Sequence, residues 1–173
     1  MKSTAFRVTL AVLSIVPLIP SPSYAGPPHS IDPPRGAHLV LDVTGRGSQI
    51  YSCQPTSEGY RWKLIAPAAK LFNPAEKEIG YHFAGPTWEM QDGSAIVGVV
   101  LAQASAPDPQ SIPWLLLRVK SRHGAGVPSN VEFVRRTKTQ GGVAPARGCD
   151  AEHASEQARI RYAAHYLFYS VSR

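Results

Sequence analysis

Gly80-Tyr81-His82-Phe83-Ala84-Gly85-Pro86-Thr87-Trp88-Glu89-Met90-Gln91-Asp92-Gly93-Ser94 carries two short apolar runs and two chain reversals within fifteen residues. Tyr81 and Phe83 alternate with His82, and Trp88 and Met90 alternate with Glu89, the two-residue period of a strand. Gly85-Pro86 breaks the first run. Asp92-Gly93 closes the second and is a strong local hairpin signal, because glycine accepts the positive φ of a tight turn. The stretch predicts strand, corner, strand, turn.

The same grammar extends in both directions. Upstream lie His38 to Val43, then Gly45-Arg46-Gly47, then Ser48 to Cys53, where Ile50 alternates with polar neighbours. Tyr60 to Ile65 ends before Pro67. Downstream come Ser94 to Gln103, Trp114 to Lys120, Val131 to Arg136 and Arg159 to Val171. These segments are short, rich in Val, Ile, Tyr and Trp, and bounded by Gly, Pro, Asn or Asp. The chain holds 14 Gly and 16 Pro in 173 residues, which leaves little room for long helices. The expected fold is all-β: an antiparallel β-sandwich or small β-barrel of roughly eight or nine strands. Short helical turns are expected at Pro67 to Phe72 and in Asp150 to Gln157.

The amino terminus reads as an export signal. Lys2 and Arg7 precede an apolar stretch, Val8 to Ile19, which is broken by Pro17 and too short for a comfortable membrane span. Ser23 and Ala25 then supply small residues for cleavage before Gly26. The expected division is residues 1–25 as signal peptide, 26–37 as a Pro-rich extended lead-in, and 38–173 as a single β-rich domain. The destination is the periplasm or the outside of the cell. In an oxidising compartment the two cysteines, Cys53 and Cys149, are expected to form one disulfide. The alternative, a reactive or metal-binding pair, has no C-x-x-C spacing behind it.

The formal charge is +6, but Lys2 and Arg7 belong to the signal and no acid does, so the exported chain is less basic. Arg135-Arg136-Thr137-Lys138 is the one basic cluster. In a strand its charges alternate between faces and read as solvated surface, so a nucleic-acid partner is not expected. No apolar run is long enough for a transmembrane helix. The histidines show no metal-binding spacing, and the chain has no phosphate-cradling loop and no nucleophile elbow; no cofactor or metal is expected.

Two sets of residues carry the functional candidates. His82 with Glu89 or Asp92 would make an acid/base pair for a hydrolase or isomerase, since a carboxylate can orient an imidazole and raise its pKa. Against this, Asp92 is explained by turn chemistry alone. The aromatic residues Trp62, Trp88, Trp114 and Tyr166 suit a module that binds a small molecule, glycan or envelope component by stacking, or else they fill the core of a Gly-rich chain. An envelope structural or stress-associated role without a pocket is the third reading.

Gln49-Ile50-Tyr51-Ser52-Cys53, Trp62, the stretch from Gly80 to Glu89 with Asp92-Gly93-Ser94, Ile112-Pro113-Trp114-Leu115-Leu116-Leu117, Arg136 to Gly142 and the closing Tyr162 to Tyr169 together resemble an uncharacterised family, domain of unknown function 3455. The likeness runs in order from about Gly45 to Tyr169. It implies an exported domain of bacterial or fungal type and brings no established activity. His82 falls within the matching pattern, whereas His165 departs from it.

Overall fold

The computed structural model describes residues 30–171. Eight strands form one antiparallel sheet: β1 (Ala37–Thr56), β2 (Gly59–Phe72), β3 (Glu78–Phe83), β4 (Thr87–Met90), β5 (Ala95–Ala104), β6 (Trp114–His123), β7 (Phe133–Gly141) and β8 (Gln157–Val171). Each strand pairs with its sequence neighbours, and β8 pairs back onto β1 from Ala37↔Val171 to Ser52↔Gln157, so the sheet is a closed up-and-down barrel. Closure pairs the first strand with the last, so neither is left as the outer edge that an open eight-stranded sheet would expose. Among the described residues no helix is long and apolar enough to cross a membrane.

The hairpin grammar around residues 80–94 holds. Gly85 (φ 109°) and Pro86 form the β3–β4 tip, and Gly93 (φ 79°) turns the chain between β4 and β5. Asp92 accepts hydrogen bonds from the Ser94 hydroxyl and backbone N–H, and these hold its carboxyl below the usual range.

Three local expectations are corrected. Gly45-Arg46-Gly47 does not separate two strands but lies inside β1, which runs unbroken for 20 residues. A Cβ on Gly45 would sit 2.6 Å from the Tyr166 ring, and one on Gly47 would sit 2.1 Å from the Ala68 carbonyl oxygen. The glycines are there for close approach, not for a turn. Pro67 to Phe72 is the end of β2 and not a helix. Proline is admitted because β3 borders β2 only from Ala69 onward, leaving the earlier part an edge. Asp150 to Gln157 is a run of turns leading into β8, and the single helical element among the described residues is a 3₁₀ turn at Val127–Asn130.

Side chains of alternate residues fill the barrel. Val43, Leu71, Met90, Ile96, Val119, Val134 and Phe168 pack its lower half. Each such buried side chain contributes about 1.5–3 kcal/mol of transfer free energy. A smaller cluster lies outside the barrel, where Ile31 packs with Ala102 and Leu116, flanked by Trp114 and Phe133. The last part of the Pro-rich lead-in is thus docked against the sheet, with Asp32 paired to Arg135 at 2.9 Å. Cys53, near the end of β1, is bonded to Cys149 in the loop before β8.

Candidate functional site

In the upper half of the barrel the aliphatic packing gives way to rings and polar groups. His82 stacks on Trp88 with ring centroids 4.5 Å apart and an interplanar angle of 12°. Tyr166 packs against both, at 5.0 Å from His82 and 5.5 Å from Trp88, and Trp88 meets Phe168 of the lower core edge-on. Register explains the cluster: His82 pairs with Trp88 across the β3–β4 hairpin, so both point inward, and alternation along β8 points Tyr162, Ala164, Tyr166 and Phe168 the same way.

These rings form the floor of a cavity of about 370 Å³, to which every strand contributes at least one residue. Gln49 comes from β1, Leu64 to Pro67 from β2, Val100 and Gln103 from β5, Leu115 and Leu117 from β6, and Arg136 from β7. The cavity opens sideways, and strand lengths dictate where. The β3–β4 hairpin is short, so β2 is paired to β3 only over Ala69–Phe72 and β5 to β4 only over Ala95–Val97. Above the Gly85-Pro86 tip the remaining lengths of β2 and β5 face a notch. Leu64 (53% exposed) and Val100 (47% exposed) border it, with Ile65 beside them. These are large apolar side chains left facing solvent at the entrance to a built cavity.

The polar groups inside are few. Gln49 is only 2% exposed, yet neither its Oε1 nor its Nε2 has a hydrogen-bond partner among the described residues; the Trp88 Nε1–H has none either. Leaving such groups unpaired in the interior costs about 1–3 kcal/mol each. His82 donates from Nδ1 to the Thr87 carbonyl oxygen at 2.8 Å, which fixes the tautomer and leaves the lone pair on Nε2. Burial pushes its pKa down to about 3, against the raising effect of the Thr87 bond, and Arg136 lowers it further. His82 is therefore neutral at physiological pH. The Tyr166 hydroxyl lies 3.2 Å from that of Tyr162, and burial raises both phenols above ordinary tyrosine. Arg136 donates from Nε and Nη2 to the Pro113 carbonyl oxygen at 3.1 and 2.8 Å.

The structure brings His82, Trp88 and Tyr166 together and leaves the other candidates elsewhere. Glu89 pairs with the exposed Tyr81, on the hairpin face opposite His82 and Trp88. Asp92 is in the β4–β5 turn, and no carboxylate contributes to the His82 shift. Trp62 donates its indole N–H to the Arg147 carbonyl oxygen at 3.0 Å, beside the disulfide loop. Trp114 belongs to the outer cluster under Ile31. The three tryptophans thus stand in three separate surroundings.

Gln49 and Arg136 are among the cavity residues absent from the candidates that the sequence suggests. Ile50 is the apolar member of its segment, but Gln49 is the one that points inward. Arg136 sits in a basic cluster that reads as solvated surface. Alternation does separate it from Arg135, but it sends Arg136 into the cavity and Arg135 to Asp32. The usable signal is the inward face of β7, on which Arg136 follows the buried Val134 two residues on.

No curated protein and no solved structure matches the chain. Residues 33–170, nearly all of the described barrel, match the family described as "Protein of unknown function (DUF3455)", and the chain belongs to that family.

Proposed function

We propose that this protein is a non-catalytic binding domain that takes a small, largely apolar molecule into the upper half of its barrel. The observation carrying this reading is Gln49: a primary amide with donors and acceptor unpaired, almost fully buried, on the wall of a cavity with apolar sides and an open mouth. A residue selected only for stability at that position would be apolar, whereas a ligand that hydrogen-bonds the amide gives it a use. The stacked His82–Trp88 pair offers a flat floor, and Leu115, Leu117, Pro67 and Pro86 supply the sides. A small molecule fits this arrangement better than an extended glycan, which would call for several aromatic faces along one surface. The Cys53–Cys149 bridge is compatible with an exported protein, which would meet its ligand in the periplasm or outside the cell.

Gln49→Leu separates this reading from a structural one. Removing two unpaired polar atoms should stabilise the empty protein by about 1–3 kcal/mol, seen as a higher melting temperature. The same change should weaken binding of a ligand such as decanol about tenfold. A variant that melts lower and binds decanol as the parent does would contradict the proposal.

A further inference from the structure

Charge inside the cavity is one-sided. Of its lining residues, Arg136 is the only one charged at neutral pH, since His82 is held neutral and no Asp or Glu takes part. A guanidinium keeps its charge in any protein setting. Its neighbour Arg135 has a carboxylate partner, Asp32, on the outside of the barrel. Arg136 instead donates to a carbonyl oxygen, and the groups that feel its charge are Tyr51, His82, Tyr162 and Tyr166, all neutral at physiological pH. Two of its five N–H groups are committed to Pro113 and the guanidinium also reaches the Tyr166 hydroxyl, which still leaves N–H groups for a further acceptor.

A half-buried cation facing a cavity without a counter-charge draws an anion, more strongly than it would in water because the surroundings are less polar. The rest of the lining rejects a small inorganic ion: Leu64, Ile65, Val100, Leu115 and Leu117 ask for hydrocarbon. The volume of about 370 Å³ is at the small end for organic ligands. Resting on the binding reading above, we propose that the ligand is an amphipathic organic acid of medium length. Its carboxylate sits on Arg136 with the Gln49 amide N–H as a second donor, and its apolar part runs along β2, β5 and β6 towards the notch. Gln49 then acts as a donor in the site, and the cavity selects against neutral and cationic analogues of the same shape.

Calorimetric titration of the full chain with decanoate and decanol at neutral pH tests both levels. Decanoate should bind about tenfold or more tightly than decanol. That advantage should vanish in Arg136→Gln, persist in part in Arg136→Lys, and disappear in wild type once the medium is acid enough to protonate decanoate. Should Arg136→Gln fail to fold, the lysine variant and the acid titration of wild type still decide. Equal affinity for the two ligands, or an advantage that survives in Arg136→Gln, would overturn the anion selectivity and leave the binding reading standing. Binding of neither would overturn both.

Discussion

His82 shows how one residue can be both well packed and informative. It is 2% exposed, stacked on Trp88 and bonded through Nδ1 to the Thr87 carbonyl, so it has the surroundings of a core histidine. Its neutrality has a thermodynamic consequence. The unfolded chain takes up a proton on this side chain near its ordinary 6.5, whereas the folded protein does so only near 3. Between those values the unfolded state binds more protons, so stability is fully present above about pH 6.5 and is lost progressively as pH falls towards 3. The span corresponds to a few kcal/mol. His82→Phe, which keeps a ring for Trp88 to stack on, should flatten this acid limb in urea melts run from pH 7 to pH 4. A pH-independent offset from orphaning the Thr87 carbonyl is expected alongside. An unchanged slope would mean that the imidazole is not held neutral in the fold.

Elements decide where the cavity opens. The β3–β4 hairpin is readable from Gly85-Pro86 and Asp92-Gly93, because turn chemistry is local. Its brevity relative to β2 and β5, which makes the notch, is a property of pairing across the sheet. Nothing in the hairpin's own residues encodes it. For the same reason Gly45-Arg46-Gly47 reads as a break: the need for Gly45 arises from Tyr166, which is far away in sequence. Gln49 hides from binary patterning, which sends polar residues outward and fails at sites where a polar group is wanted inside. The pairing of Cys53 with Cys149 is the one long-range contact legible in the sequence, since a disulfide is the expected state of two thiols in a chain that reads as exported. The bridge pins the irregular loop ahead of β8 to the end of β1, where Cys53 and Ser155 also share a backbone hydrogen bond. With a sequence separation of 96 between the cysteines, the double variant Cys53→Ala/Cys149→Ala should lose about 2–5 kcal/mol in urea unfolding. A loss under about 0.5 kcal/mol would show that the unfolded chain gains no freedom when the bridge is removed.

Closure of the sheet on itself divides the interior of the molecule into two parts. Aliphatic side chains and Phe168 fill the lower half, and the rings of His82, Trp88 and Tyr166 form the floor of a cavity in the upper half. Strand count and all-β character follow from the spacing of turn residues. Closure does not, because sandwich and barrel share the same alternating pattern and differ only in whether the last strand meets the first. The export signal expected at residues 1–25 lies outside the described residues, and its processing is open to direct test. Mass spectrometry of protein recovered outside the cytoplasm should find Gly26 as the first residue, and finding Met1 would remove the export proposal.

Occupation of the upper barrel by a ligand can be read at the cavity floor. In a Trp62→Phe/Trp114→Phe background Trp88 is the sole remaining tryptophan, and its ring lies on the cavity wall. Titration of this variant with decanoate should give a saturable, one-to-one change in Trp88 emission. Emission that does not change, or that drifts linearly without saturating while the protein remains folded, would mean that the upper barrel is not a binding cavity.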